Sequence, residues 1–264
     1  MARKKPDTAA FRHRSDLQLM TMANVKTQKG EAAGYMTAIL YLMPHTSGGG
    51  VTLCPYSTPD CREMCLSGAG LSGLPRQLQA KQRRTTFWLQ EKALFLDVLM
   101  GDIEKFCLIC ESEGLKPAVR LNGTSDILWE REAPDLFIHF SEVRFYDYTK
   151  FPLRYRAERP ERYHLTFSIE GPKDMQLAVD YLRRGCSVAA VVDKEQKESL
   201  VGWRMHLGGA DVATFIDGDA HDLRFLDAPA SVVLLSPKGN VRTGLLRPNI
   251  LGELTQAVED LVHA

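Results

Sequence analysis

Three of the six cysteines fall in one short segment, CPYSTPDCREMC, with the spacing C-x6-C-x3-C. Thiolates are soft ligands that select iron–sulfur clusters, zinc or Cu(I). A cubane cluster normally takes four protein thiolates, but three can hold it when its fourth iron meets a substrate or cofactor. Cys54, Cys61 and Cys65 are therefore predicted to bind metal, with a [4Fe–4S] cluster as the favoured group.

Two other interpretations of this segment stay open. A structural zinc ion needs a fourth ligand, which His45 could supply from the other side of the Ser47–Gly50 turn. Alternatively, the three cysteines are unrelated and partly buried. The other cysteines, Cys107, Cys110 and Cys186, are expected to pack in the core, where a free thiol behaves as a small hydrophobe.

Polar residues also follow three predicted strands, where βα loops of parallel α/β folds build active sites. Each group has a simpler interpretation as a helix cap, a solvated strand end or a hydrogen-bonded turn. The carboxylates of the third group could also hold a hard cation. The candidates for substrate binding are Asn122, Thr124, Asp126, Asp217 and Asp219, and the candidates for catalysis are Asp147 and Lys150.

The elements that must position these residues alternate between strands and helices. A helical period runs from Arg76 to Glu113, with a break expected at Gly101 and a C-cap at Gly114, and another runs from Asp174 to Arg184. The predicted strands are Met36–Met43, Ala118–Leu121, Val143–Tyr148, His164–Ile169, Ser187–Val192, Thr214–Asp217 and Ser231–Leu235.

Such alternation predicts βαβ units and an α/β fold, a largely parallel (βα) barrel or partial barrel. We expect a flexible N-terminal arm over residues 1–15 and a single domain over 16–264, with the cysteine loop at 54–65.

Composition narrows the range of partners. The formal net charge is zero, so no global field attracts nucleic acid or membrane. No apolar run approaches the roughly 20 residues of a membrane span, and the basic N-terminus lacks the apolar core of a secretory signal. A cytoplasmic protein is expected.

The basic turn Lys81–Arg84 is expected to be a solvated helix face, with nucleic-acid contact as the alternative.

Several segments resemble the phage- and plasmid-borne gene product 88 family. They are KTQKGEAAGYMTAILYLMPH, CPYSTPDCREMCLSGAG, AVRLNGTSDILWE, FYDYTK, YHLTFS and IDGDAHDLRFLD, in the order of that family. If the protein is phage-encoded, its compartment is the host cytoplasm.

More remotely, the arrangement of a cysteine loop after the first strand of an α/β fold is similar to that of radical S-adenosylmethionine enzymes. Those enzymes hold a three-cysteine [4Fe–4S] cluster on the loop after the first barrel strand. This resemblance implies Cys54, Cys61 and Cys65 as cluster ligands and S-adenosylmethionine as a candidate ligand of the open iron. The usual spacing there is C-x3-C-x2-C, and a glycine-rich strand for the methionine moiety is not evident here.

The sequence therefore favours an iron–sulfur protein with a radical-enzyme-like barrel, carrying out redox or radical chemistry on an unknown small or macromolecular substrate. The alternative is a zinc-stabilised, non-catalytic module that binds a host protein or nucleic acid.

Overall fold

The computed structural model describes residues 18–22, 31–45, 50–63, 65–68, 70–152, 159–207, 212–238 and 250–262. Within them lies one nine-stranded sheet. The expected arm at residues 1–15 lies outside the described residues. The strands are β1 (Met20–Thr21), β2 (Tyr35–Leu40), β3 (Lys116–Arg120), β4 (Arg144–Thr149), β5 (Tyr163–Ser168), β6 (Ser187–Val191), β7 (Arg204–His206), β8 (Val212–Asp217) and β9 (Ser231–Leu235).

The strand order is β1-β2-β3-β4-β5-β6-β9-β8-β7. In this order, all neighbouring strands between β2 and β8 are parallel. The edge strands are antiparallel to their neighbours, β1 to β2 and β7 to β8. Parallel strands need long crossovers, which here carry most of the helices. Between β1 and β7 no pairing closes the sheet within the described residues, so the fold is mixed α/β with an open, mostly parallel sheet.

The helices of the described residues pack mainly against one face of the sheet. Phe95, Leu99 and Phe106 are fully buried there against strand residues such as Val119 and Phe145. The helices are α1 (Pro59–Glu63), α2 (Pro75–Gln90), α3 (Lys92–Ser112), α4 (Trp129–Glu132), α5 (Pro134–His139), α6 (Met175–Arg183), α7 (Lys194–Leu200) and α8 (Ile250–Val262).

The opposite face is covered by the β8–β9 connection. Arg224 and Leu223 are buried, and the ring of Phe225 contacts those of Tyr35 and Tyr146, with centroids 5.0 and 5.6 Å apart. We call residues 221–227 the plug. Because the plug leaves β8 and reaches β2 near the other edge, the sheet must curl around it.

The predicted parallel strands are all confirmed, with shifts of a few residues at their ends. The long helix is interrupted at Glu91 instead of Gly101, because Glu91 leaves the helical region (φ −134°, ψ 53°) while Gly101 stays inside α3. Gly114 has φ +67° just after α3, which confirms it as the C-terminal cap. Cys110 and Cys186 are buried and Cys107 packs against the core, as expected.

Candidate functional site

A single cavity of about 490 Å³ lies at the carboxyl ends of the parallel strands. Its wall receives residues from the cysteine loop and from the ends of β3, β4, β5, β6, β8 and β9. In a flat sheet the ends of β3 and β8 would be roughly 24 Å apart, at about 4.8 Å for each strand step. One cavity of this size reaches both ends only because the sheet is curled. We call it the cysteine cavity.

Cys54, Cys61 and Cys65 all line the cysteine cavity. The Cys54 thiol donates a hydrogen bond to the Thr124 carbonyl oxygen (3.6 Å). Burial raises the pKa of Cys54 to about 12 and that of Cys61 to about 11, and it also raises the pKa of Cys65. All three thiols are therefore protonated near neutral pH, so a metal that binds them must displace their protons.

The geometry around the thiols suits ligation only in part. Among the described residues, no three His, Cys, Asp or Glu side chains are grouped closely enough to hold a metal ion. A hydrogen bond from the His45 backbone N–H lowers the pKa of Cys54 against the larger effect of burial. The Nδ1 atom of His45 is buried and has no hydrogen-bond partner. The residue whose backbone contacts Cys54 thus also carries a buried ring nitrogen without a hydrogen-bond partner.

Glu170 connects the cysteine loop to Lys150. One carboxylate oxygen accepts a hydrogen bond from the Cys61 backbone N–H (2.7 Å), and the other lies 3.3 Å from Lys150 Nζ. Lys150 Nζ also donates to the Ser168 carbonyl (3.1 Å). Among the charges around Cys61, the ammonium of Lys150 lowers its pKa against burial, the dominant cause. The ion pair therefore positions α1 and places a cation near a candidate ligand.

Asn122 and Asp147 belong to a buried hydrogen-bond network behind the cavity wall. Asp147 is fully buried and accepts hydrogen bonds from the Asn122 backbone N–H (2.7 Å) and the Tyr163 hydroxyl (2.8 Å). The Asn122 amide oxygen accepts from Ser125, and from the backbone N–H of Ile127 (both 2.9 Å). Asn122 lines the cavity but Asp147 does not. This location fits a positioning role for Asp147, which has no direct access to a ligand.

The loop after Asn122 lies tightly against the end of β2. A Cβ on Gly123 would come within 2.7 Å of the Leu40 carbonyl oxygen, so only glycine fits. The Thr124 hydroxyl donates to the Leu42 carbonyl, and Asp126 accepts a hydrogen bond from the Lys150 backbone N–H (2.8 Å). Thr124 and Asp126 both line the cavity, as predicted for substrate-binding residues, while their polar atoms also secure the loop.

Asp217 and Asp219 are neutralised by lysines that the sequence did not connect to them. Lys197 Nζ lies 2.5 Å from Asp217 and 2.7 Å from Asp219, and Lys238 Nζ lies 3.0 Å from Asp219. Burial opposes ionisation of Asp219, but hydrogen bonds from Lys197, Ser236 and Lys238 outweigh it and hold its pKa well below the usual range. Asp219 lines the cavity and Asp217 does not. Ammonium partners occupy the positions that a hard cation would need.

Arg120 forms a further charged pair at the end of β3. Its guanidinium lies 3.2 Å from Asp222 of the plug and 4.8 Å from the ring centre of Tyr148. Both ion-pair partners line the cysteine cavity and are largely buried. The pair connects the plug to the end of β3, and it therefore helps to hold the plug against the sheet beside the cysteine cavity.

Lys81 is not on a solvated face, which corrects the expectation for the Lys81–Arg84 turn. Its side chain is 2 % exposed, and Nζ donates hydrogen bonds to the carbonyl and hydroxyl oxygens of Ser67 and Ser72 (2.8–2.9 Å). Burial lowers the pKa of Lys81, whereas the nearby Cys65 raises it. The ammonium is thus enclosed beside the cysteine loop and cannot contact nucleic acid.

The structure brings most of the predicted site residues to one cavity. The sequence analysis assigns no role to Glu170 or Arg120, and it assigns Lys81 a different one. Glu170 could have been found because, like Lys150, it is a charged residue just beyond the end of a predicted strand. Arg120 is the first residue of the polar segment that contains Asn122, Thr124 and Asp126, but only the fold reveals its partner, Asp222. Residues at the cavity are Cys54, Cys61, Cys65, Asn122, Thr124, Asp126, Lys150 and Asp219; those behind or beside it are Asp147 and Asp217.

The chain is thus an α/β protein with a largely parallel sheet, whose strand ends surround a cavity lined by three cysteines. A family model described as gene product 88 matches residues 18–248, so the chain belongs to the gene product 88 family. Neither the curated proteins nor the solved structures contain a match to it. None of the helices formed by the described residues combines the length and apolar character that a membrane span requires.

Proposed function

We propose that Cys54, Cys61 and Cys65 hold a [4Fe–4S] cluster, and that the rest of the cysteine cavity binds an organic substrate beside it. The observation that carries this proposal is that all three thiols line one cavity with charged residues from several other strand ends. A cluster held by three protein thiolates supplies one-electron or Lewis-acid chemistry at its fourth iron.

A cluster with an open fourth iron needs no further protein ligand, whereas a structural zinc ion needs a fourth. A zinc ion holds each thiolate at about 2.3 Å, which draws the sulfur atoms tightly together. The cysteines line the same cavity without forming such a compact group within the described residues. A polynuclear cluster binds each thiolate through a different iron atom, so the sulfur atoms lie farther apart than around zinc.

The charges around the cysteine cavity suit a ligand that carries both signs. Lys150 and Glu170 face it from one side, and Lys238 and Asp219 from another. In this proposal Lys150 orients an anionic group of the substrate, and Asp219 binds a cationic or hydroxyl group that takes the place of Lys238, the more exposed of its two lysine partners. S-adenosylmethionine, which carries a carboxylate, an ammonium and a sulfonium group, has charges of both signs.

A zinc-stabilised module is the second candidate, favoured by His45. Its Nδ1 atom is buried without a hydrogen-bond partner, its backbone N–H hydrogen-bonds to Cys54, and three thiolates with one imidazole form a common structural zinc site. In that case the protein would bind a partner without catalysis, and it would lose its fold when treated with a zinc chelator.

Matched cysteine variants test the cluster proposal. Cys54→Ala, Cys61→Ala and Cys65→Ala should each abolish iron loading after anaerobic purification, whereas Cys107→Ala should keep it, because Cys107 packs against the core. Iron and zinc are measured per chain in all variants. Full iron content in the Cys61→Ala variant would refute the ligand assignment, and loss of zinc instead of iron would select the second candidate.

A further inference from the structure

A second cavity, of about 260 Å³, lies at the other end of the same strands. Its wall is formed where β4 and β5 begin and just before β6, and it includes Phe225 of the plug. This is the opposite end of the sheet from the cysteine cavity. We call it the arginine cavity, after the residues Arg144, Arg159, Arg162 and Arg184 that line it.

The charged residues of the arginine cavity are mostly positive. Four guanidinium groups line it against one carboxylate, that of Glu161. In the described part of the chain, no ion pair is formed by Arg144, Arg159 or Arg162, and all three are half-buried. Grouping partly desolvated like charges is unfavourable without a counter-charge. The arrangement is therefore one that a bound anion would stabilise.

His164 adds an independent sign of a missing partner. It lines the same cavity, and its Nε2 atom is buried without a hydrogen-bond partner. Burial, together with the charges of Arg159 and Arg224, lowers the pKa of His164 to about 4. The ring is thus neutral near pH 7, and Nε2 can donate to or accept from a ligand according to its tautomer. Buried polar atoms in native proteins generally have partners, so this nitrogen calls for one.

We propose that the arginine cavity binds a phosphate group, either inorganic phosphate or the phosphate of a small monoester. Guanidinium groups recognise phosphate oxygens with paired hydrogen bonds, and several of them can share the oxygens of one dianion. The volume is slightly below the range of pockets that enclose whole organic ligands, about 300–1,000 Å³, which fits a phosphate with little more attached. The proposal does not depend on metal at the cysteines.

Histidine titration in the full-length protein tests this proposal without any variant. The pKa of His164 is followed by NMR during addition of sodium phosphate, of adenosine monophosphate, and of sodium chloride at matched ionic strength. A bound dianion near the ring should raise the pKa of His164 by at least one unit, whereas chloride should leave it unchanged. A shift with phosphate identifies the free anion, and a shift with the nucleotide alone identifies a monoester.

Variants then test the role of the arginines. Arg159→Gln combined with Arg162→Gln should weaken phosphate binding at least tenfold by calorimetry, whereas Arg131→Gln, on the exposed surface of α4, should not change it. An unchanged pKa of His164 with both phosphate compounds would overturn the proposal. A response only to a single-stranded oligonucleotide would overturn it as well, and would assign the cavity to a nucleic-acid backbone.

Discussion

The enclosed ammonium of Lys81 gives a sharp test of how the cysteine loop is held in place. The substitution Lys81→Met keeps the aliphatic stem and removes the ammonium, whose three N–H donors are surrounded by four oxygens of Ser67 and Ser72 within 2.9 Å. These hydrogen bonds connect α2 to the glycine-rich segment that follows Cys65.

The expected cost follows from the burial of the acceptors. Ser67 is buried, so its oxygens would lose their partner, at about 1–3 kcal/mol for each one left unsatisfied. Ser72 is half-buried and can be hydrated instead. Burial lowers the pKa of Lys81, so removing the charge recovers part of its desolvation penalty. We therefore expect a net loss of about 2 kcal/mol in the free energy of unfolding.

Urea unfolding followed by tryptophan fluorescence measures this change, because Trp88 lies on the same helix and packs 5.1 Å from Trp129. Lys105→Met is the matched control, since Lys105 is exposed on α3 and the substitution should change stability by less than about 0.5 kcal/mol. Lys81→Met should also lower metal retention by the cysteines. Equal stability of the two variants would refute the reasoning.

Three further predictions concern the acidic residues of the site. Asp219→Asn should lower stability at pH 7 by about 0.5–1 kcal/mol, given its partial exposure, and reduce the acid sensitivity seen by urea unfolding. The reason is that hydrogen bonds from Lys197, Ser236 and Lys238 outweigh burial and lower the pKa of Asp219. The ionised carboxylate therefore stabilises the fold above about pH 4, and this stabilisation is lost as the pH falls. A variant whose stability varies with pH as the wild type does would contradict this. Glu170→Gln should weaken metal binding about tenfold in chelator competition, because it removes the ion pair with Lys150, and an unchanged affinity would argue against it. Asp147→Asn should destabilise the protein by about 1–3 kcal/mol in thermal unfolding, since the new amide nitrogen cannot accept a hydrogen bond; a wild-type transition would show that these bonds contribute little.

The central strands of the sheet could be predicted because buried strands have continuous apolar sequences. Ala38–Leu40 and Ser187–Ala190 are buried at every position, as parallel strands covered on both faces must be. The edge strands β1 and β7 have two and three residues, too few for a period to emerge. The break at Glu91 has no local signal such as glycine or proline, so it reflects packing of the two helices.

The candidate site was predictable where chemistry is local in sequence and not where the fold brings distant residues together. The cysteine loop shows its character within one segment. Glu170 lies 109 positions from Cys61, and Lys197 lies 22 from Asp219, so their contacts exist only in the folded chain. The basic neighbours of Lys81 in the sequence predict a solvated side chain, whereas its actual partners are oxygens of Ser67 and Ser72 in another loop.

The central claim is that the three cysteines hold an iron–sulfur cluster, and metal analysis of the wild-type protein tests it most directly. The protein is purified without oxygen, and its visible spectrum, iron, acid-labile sulfide and zinc are measured on one sample. We predict a brown protein with about four iron and four sulfide per chain. A colourless protein that carries one zinc ion, or no metal at all after supply of iron and sulfide, would contradict the account.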